Sequence, residues 1–267
     1  MDVKSLFSLE GRVALITGGS RGIGRMIAEG FLSAGCERVY ITARKAEDVA
    51  RTAAELGARC VAVPGDIATM AGIDALADRI AAREDRLDIL VNNAGVAWGA
   101  DFDSFPESGW DKVMDLNVKT PFFLTQKLHP LLRAGAAAGR VAKVINIASV
   151  DGQKANPWET YPYQASKAAL IHLTRRMAAR LAAEGIAVTA IAPGMFASKM
   201  NRAAAVAGDR MAAQIPAGRV GHDEDMAAAA IYLASRGGDY VLGETLTVDG
   251  GWVNAYLTPD FIGAGGE

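Results

Sequence analysis

Short runs rich in valine and isoleucine recur along the chain, and a longer alanine-rich segment separates each from the next. Candidate strands fall at 12–17, 38–42, 59–63, 87–91, 142–148, 186–192 and 245–248. Candidate helices fall at 22–34, 46–56, 69–83, 106–133, 162–183 and 224–234. The early runs are apolar at consecutive positions, the pattern of parallel strands covered on both faces. Strand–helix alternation throughout implies an α/β fold: a Rossmann-like, doubly wound, seven-stranded parallel sheet with helices on both faces. No repeat and no linker-like stretch divides the 267 residues, so the chain reads as one domain. A mobile lid is expected around 195–215 and a fraying tail from about 254.

Composition narrows the partners. A net charge of −2 without a basic run argues against nucleic acid and anionic membranes. Cys36 and Cys60 suit neither a disulfide framework nor a metal site, and read as reduced thiols of a cytoplasmic protein. The first residues lack an apolar signal core, and no apolar run reaches the ~18 residues of a membrane span. His129 and His172 have no cysteine or carboxylate at ligand spacing, so no metal is expected. Leu170, Leu173, Met177 and Leu181 form a helical stripe that reads as core or subunit interface.

Two stretches carry chemistry. Thr17-Gly18-Gly19-Ser20-Arg21-Gly22-Ile23-Gly24 follows the first strand and opens the first long helix. There a glycine turn lets backbone approach a pyrophosphate, and a helix N-terminus offers N–H groups to phosphate oxygens. The second is Tyr163-Gln164-Ala165-Ser166-Lys167, just after Pro162, itself suited to a first helical turn. Residues four apart share a helical face, so Lys167 can hold a positive charge near the Tyr163 hydroxyl and favour the phenolate. Tyr161 has Ala165 four residues on, so only Tyr163 fits the pattern.

The glycines at 18, 22 and 24 are spaced G-x-x-x-G-x-G, and with this spacing the chain resembles the short-chain dehydrogenase/reductase family. Other motifs follow in the family's order: Asn92-Asn93-Ala94-Gly95, Asn117, Ser149, Tyr163 with Lys167, Pro193-Gly194 and Asp249-Gly250-Gly251. The resemblance covers nearly the whole chain. It implies that Ser149, Tyr163, Lys167 and Asn117 are catalytic. It implies dinucleotide contacts from Gly18, Ser20, Arg21, Gly22, Ile23, Gly24, Gly95, Tyr163, Lys167, Pro193 and Gly194. Asp66 and Ile67 would flank the adenine, and Asn93 would sit beside the adenosine ribose. Phe196 and Ser198 would meet the carboxamide, with Ser198 standing where the family usually has Thr.

Where an NAD enzyme of this kind carries Asp, the chain has Ala43, followed by Arg44. Arg44 and Arg21 suit the 2′-phosphate of NADP(H), the expected cofactor. In the mechanism the resemblance implies, Tyr163 gives its proton to a carbonyl oxygen during reduction. Lys167 lowers the phenol's pKa and holds the nicotinamide ribose, while Ser149 polarises the carbonyl. The Asn117 main-chain carbonyl would hold a water of the proton relay. Pro121, four residues on, lacks the N–H that would close onto that carbonyl; it either keeps a kink there or merely bends the helix around the core.

Expected substrate walls are Val96, Ala97 and Trp98, then 151–158 and 195–215. Trp98, Trp158, Phe196 and Met200 would make the pocket apolar. The overall pattern is similar to NADPH-dependent β-ketoacyl reductases of the rhamnolipid-associated type, implying reduction of a 3-oxoacyl group. An NADP-dependent sugar, steroid or other alcohol dehydrogenase is the alternative, and a non-catalytic nucleotide-binding protein the remote one. Family members imply a homo-oligomer, a tetramer or dimer.

Overall fold

The protein is described from a computed structural model, covering residues 1–137, 139–196 and 212–255. Most of the expected lid and nearly all of the expected tail therefore lie outside the described residues, as do Ser198 and Met200.

Seven parallel strands form one sheet: β1 (Val13–Thr17), β2 (Arg38–Thr42), β3 (Cys60–Ala62), β4 (Ile89–Asn92), β5 (Ala142–Ile147), β6 (Ile186–Pro193) and β7 (Thr245–Val248). Their order is β3-β2-β1-β4-β5-β6-β7, with Leu15 opposite Tyr40 on one side and Leu90 on the other. Between β1 and β4 the winding reverses. In open α/β sheets the crevice beyond the carboxyl ends at such a point is where ligands bind.

Side chains alternate across a strand, and each face of this sheet has its own core. Ala14 and Ile16 of β1 pack with Ile27 and Phe31 of α2 (Gly22–Ser33) and with Ala230 and Leu233 of α8 (Asp223–Ala234). Val13 and Leu15 pack with Leu76 and Ile80 of α4 (Met70–Ala81), Leu124 and Leu128 of α6 (Thr120–Gly135), and Met177 and Leu181 of α7 (Tyr161–Leu181). Leu170 is buried as well, and Leu173 packs against this same core, so the α7 stripe faces the sheet. A short α1 (Val3–Phe7), capped by Asp2, precedes the sheet, and α3 (Ala46–Leu56) connects β2 to β3.

One expected element divides. The run 106–133 is three pieces: α5 (Glu107–Met114), a wide π turn at Asp115–Lys119, then α6. The Thr120 N–H reaches back five residues to the Asp115 carbonyl. The widening lies where Pro121 withholds the N–H that Asn117 would otherwise accept.

At the amino ends of the strands sits a closed ionic cluster. Asp88 is fully buried, accepts from the Val13 N–H at 2.9 Å, and has Arg86, Arg12 and Arg140 at 3.3, 3.6 and 3.7 Å. Lys143 of β5 is buried beside Asp239, 2.7 Å away; burial pulls its pKa down and Asp239 opposes that. These amino-end charges face away from the crevice.

Candidate active site

The glycine turn is fixed by its neighbours. Gly18 has φ +67°, a conformation costly for any residue with a side chain. A Cβ on Gly24 would stand 2.5 Å from the Gly18 oxygen and 2.4 Å from the Asn93 amide nitrogen. Asn93 Nδ2 donates to the Thr17 oxygen at 2.8 Å, and the Thr17 hydroxyl accepts from the N–H groups of both Asn93 and Ala94 at 2.9 Å. Asn93 thus ties the carboxyl end of β4 to the turn after β1. Behind it, Asn92 donates to Asn146 at 2.9 Å, and Asn146 donates to Thr174 of α7 at 2.9 Å. This buried amide chain joins β4, β5 and the helix that carries Tyr163.

The N-terminus of α2 has no side-chain cap, so its first N–H groups face the crevice unmet by a capping oxygen. Arg21 precedes it and Arg44 follows β2; both are exposed, and neither has an ion-pair partner among the described residues. Arg25, one turn into α2, is by contrast paired with Glu55 at 2.6 Å. The Ser20 carbonyl accepts from Thr52 of α3 at 2.9 Å. Asp66 is exposed, its carboxylate accepting from the Ala68 N–H, while Ile67 is buried and its carbonyl accepts from Thr120.

Three segments meet around Lys167. Asn117, buried in the π turn, accepts from the Val96 N–H at 2.9 Å and donates to the Val96 carbonyl and the Ser166 hydroxyl, each at 3.0 Å. Ser166 donates to the Tyr163 carbonyl at 2.7 Å. A Cβ on Gly95 would lie 3.2 Å from Asn117 Oδ1 and 3.7 Å from Lys167 Nζ. Lys167 Nζ donates to the Ile147 carbonyl at the end of β5 at 2.7 Å and lies 5.5 Å from the centre of the Tyr163 ring. Ser149, two residues past β5, accepts on Oγ from the Asp151 N–H at 3.1 Å, which leaves its own proton free to donate.

Burial governs the titration of the pair. It pushes the Tyr163 phenol up to about 12, with the Ser149 hydroxyl opposing and the Asp151 charge adding to the rise. It pulls Lys167 down to about 8, against the pull of Asp151. The expectation is a phenol lowered by Lys167; instead loss of water dominates at both groups, and each moves toward its neutral form. Tyr161 is turned elsewhere, donating to Glu159 at 3.3 Å and meeting Phe102 and Phe105 edge-on.

At the end of β6, Pro193 pairs with Val248 of β7, and the Gly194 N–H donates to the Val248 carbonyl at 2.9 Å. Phe196 is buried against Gly221. Phe196, Met195, Arg219 and Asp249 help to line a cavity of about 290 Å³. Trp98 lies on Gly109 of α5, with Lys112 Nζ 5.0 Å above its ring. Sequence reading gave no role to Thr17 and Ser166, and placed Asp151 only in a substrate wall. Both hydroxyls stand inside motifs the sequence spells out.

A glycine turn, a bare helix N-terminus and two exposed arginines line one side of the crevice; a Ser–Tyr–Lys–Asn group lines the other. Together they define a dinucleotide-dependent oxidoreductase. The chain belongs to the short-chain dehydrogenase/reductase family. A family model described as enoyl-(acyl carrier protein) reductase matches residues 18–253. The chain is 51% identical over 253 residues to the rhamnolipids biosynthesis 3-oxoacyl-[acyl-carrier-protein] reductase of Pseudomonas aeruginosa, covering 92% of this chain and 98% of that one. It is 37% identical over 254 residues to the 2-dehydro-3-deoxy-D-gluconate 5-dehydrogenase of Escherichia coli, covering 94% and 99%. Among solved structures it resembles the Pseudomonas aeruginosa RhlG/NADP active-site complex, with a TM-score of 0.89, 50% identity, and 93% and 98% of the two chains covered. Among the described residues no helix is long and apolar enough to cross a membrane.

Proposed function

We propose that the protein is an NADP(H)-dependent oxidoreductase that reduces a 3-oxoacyl group to the 3-hydroxyacyl group. The observation that carries the cofactor reading is the pair of exposed arginines, without an ion-pair partner among the described residues, beside a glycine turn packed too closely on Asn93 and Ile41 for any side chain. Guanidinium forks suit a phosphate, and the structure similar to this one was solved with NADP. The 3-oxoacyl reading is supported by the half-identical relative of that name and by the apolar rings of Trp98 and Phe196 near the crevice.

In this reading Gly18, Ser20, Arg21, Gly22, Ile23 and Gly24 hold the pyrophosphate side, with Arg21 and Arg44 on the 2′-phosphate. Asp66, Ile67, Asn93 and Gly95 border the adenosine half, and Pro193, Gly194, Phe196 and Ser198 the nicotinamide half. When bound, the cofactor supplies the hydride. Tyr163 gives its hydroxyl proton to the substrate oxygen; a phenol held up to about 12 keeps that proton at neutral pH. Ser149 Oγ–H donates to the same oxygen and stabilises the charge that grows there. Lys167 holds the nicotinamide ribose and replaces the proton that Tyr163 loses. The Asn117 carbonyl, denied its usual helical donor by Pro121, extends that relay through a water.

The chain is read as one domain with a lid at 195–215, working as a homo-oligomer in the cytoplasm. The 37% identical relative keeps an NADP-dependent sugar-acid dehydrogenase as the second reading. The test is a purified-enzyme panel of 3-oxoacyl thioesters, β-keto esters and keto sugar acids, with NADPH and NADH compared. The highest kcat/KM is expected for a 3-oxoacyl thioester with NADPH. A clear preference for NADH or for sugar acids would replace this reading.

A further inference from the structure

Asp151 has no part in the mechanism above, yet its N–H bonds Ser149 and its charge bears on Tyr163 and Lys167. It lies in the 3-10 turn Val150–Gly152, directly after Ser149, and its N–H fixes the Ser149 Oγ at 3.1 Å. That turn cannot slide: a Cβ on Gly152 would stand 2.6 Å from the Lys167 carbonyl carbon and 2.7 Å from the Ala168 nitrogen. Asp151 is half-buried, and burial pushes its carboxyl up while Asn156 and the Lys167 charge oppose the rise. Among the described residues it is the one acid whose charge bears on both Tyr163 and Lys167. The other charged side chains of this region are engaged elsewhere. Lys154 lies against Trp252, with Nζ 5.7 Å from the ring centre; Glu159 accepts from Tyr161; Lys112 sits over Trp98.

We infer that Asp151 is a specificity residue whose carboxylate, carried on the turn that is bonded to Ser149 and packed on the Lys167 backbone, selects neutral β-keto esters and thioesters over keto acids that carry a free carboxylate near the reacting carbonyl. The inference rests on the carbonyl-reductase reading above. Lys167 alone would attract an anion into this site. Asp151 cancels that attraction and repels a carboxylate directly, at a half-buried position where solvent screens only in part. A neutral ester feels neither force. The residue thereby separates acyl esters from the sugar acids handled by the 37% identical relative, whose named substrate is a carboxylate.

The test compares ethyl acetoacetate with the acetoacetate anion, both with NADPH, in the wild type, Asp151→Asn and Asp151→Glu. The readout is the ratio of kcat/KM for the anion to that for the ester. Asp151→Asn is expected to raise it about tenfold, the scale of one partly screened charge. Asp151→Glu, which restores the charge, is expected to stay within about twofold of the wild type. In the wild type the ratio is expected to rise with ionic strength, because salt screens the repulsion. An unmoved ratio in Asp151→Asn, or an equal rise in Asp151→Glu, would overturn the inference, since a merely structural residue gives one of those results. A wild type that reduces neither these compounds nor a 3-oxoacyl thioester would instead remove the functional reading and this inference with it.

Discussion

At the amino ends of the strands, Asp88 is buried among Arg12, Arg86 and Arg140, and Lys143 is buried against Asp239. At the carboxyl ends, Arg21 and Arg44 are exposed and, among the described residues, unpaired, and the backbone is held by neutral donors and acceptors: Thr17, Asn92, Asn93, Asn117 and Ser166. The same sheet thus uses charge in two ways. At one end charges satisfy one another, and removing one strands the rest in low dielectric. At the other, amides and hydroxyls build a rigid frame while cations stay free for an anionic ligand. Stability and ligand recognition can therefore be damaged separately.

The largest effect should come at the carboxyl end. Tyr163→Phe keeps the ring and removes only the proton donor, so ketone reduction should fall about thousandfold, with NADPH affinity and thermal unfolding close to the wild type. A variant that unfolded early would show that the site and the frame are not separable. At the amino end, Asp88→Ala strips the Val13 N–H of its acceptor and leaves buried Arg12 without its carboxylate. Denaturant unfolding should show a loss of about 3 kcal/mol, while kcat per folded molecule stays the same. Loss of activity without loss of stability would contradict the division.

Arg21→Ala and Arg44→Ala should each cut the preference for NADPH over NADH by about tenfold with little change in stability, because neither cation has an ion-pair partner to lose among the described residues. Equal losses for both cofactors would place the arginines somewhere other than the 2′-phosphate. The smallest expected change is with pH. Tyr163 at about 12 and Lys167 at about 8 both keep their protons between pH 6 and 7, so reduction should vary less than about twofold there. Above pH 8 it should decline as Lys167 gives up its charge, whereas alcohol oxidation, which needs the phenolate, should rise with pH.

Much of this was legible in the sequence, for local reasons. Consecutive apolar residues in the early strands announce a sheet covered on both faces, and the structure has it. Gly18 to Gly24, Asn93, Asn117, Ser149, Tyr163 and Lys167 come together because each sits at the carboxyl end of a strand or on the helix beside it. What stayed hidden depends on segments far apart in the chain. The Asp88 cluster gathers residues 12, 86, 88 and 140, none of which has a local pattern. Ser166 and Thr17 acquire roles only when Asn117 and Asn93 arrive beside them. The i, i+4 spacing of Tyr163 and Lys167 was readable, but the depth of their burial was not, and burial reversed the direction of the phenol's shift. Pro121 signalled a disturbed helix, though its form as a π turn needed the coordinates.

The most direct test follows the hydrogen itself. Wild-type protein is mixed with a 3-oxoacyl thioester and NADPH deuterated on both C4 positions of the nicotinamide, and the 3-hydroxyacyl product is weighed by mass spectrometry. The account predicts one deuterium on C3 of each product molecule, and in Tyr163→Phe about a thousandth of that product over the same time. Product without deuterium, or a labelled product formed as fast by Tyr163→Phe as by the wild type, would contradict it.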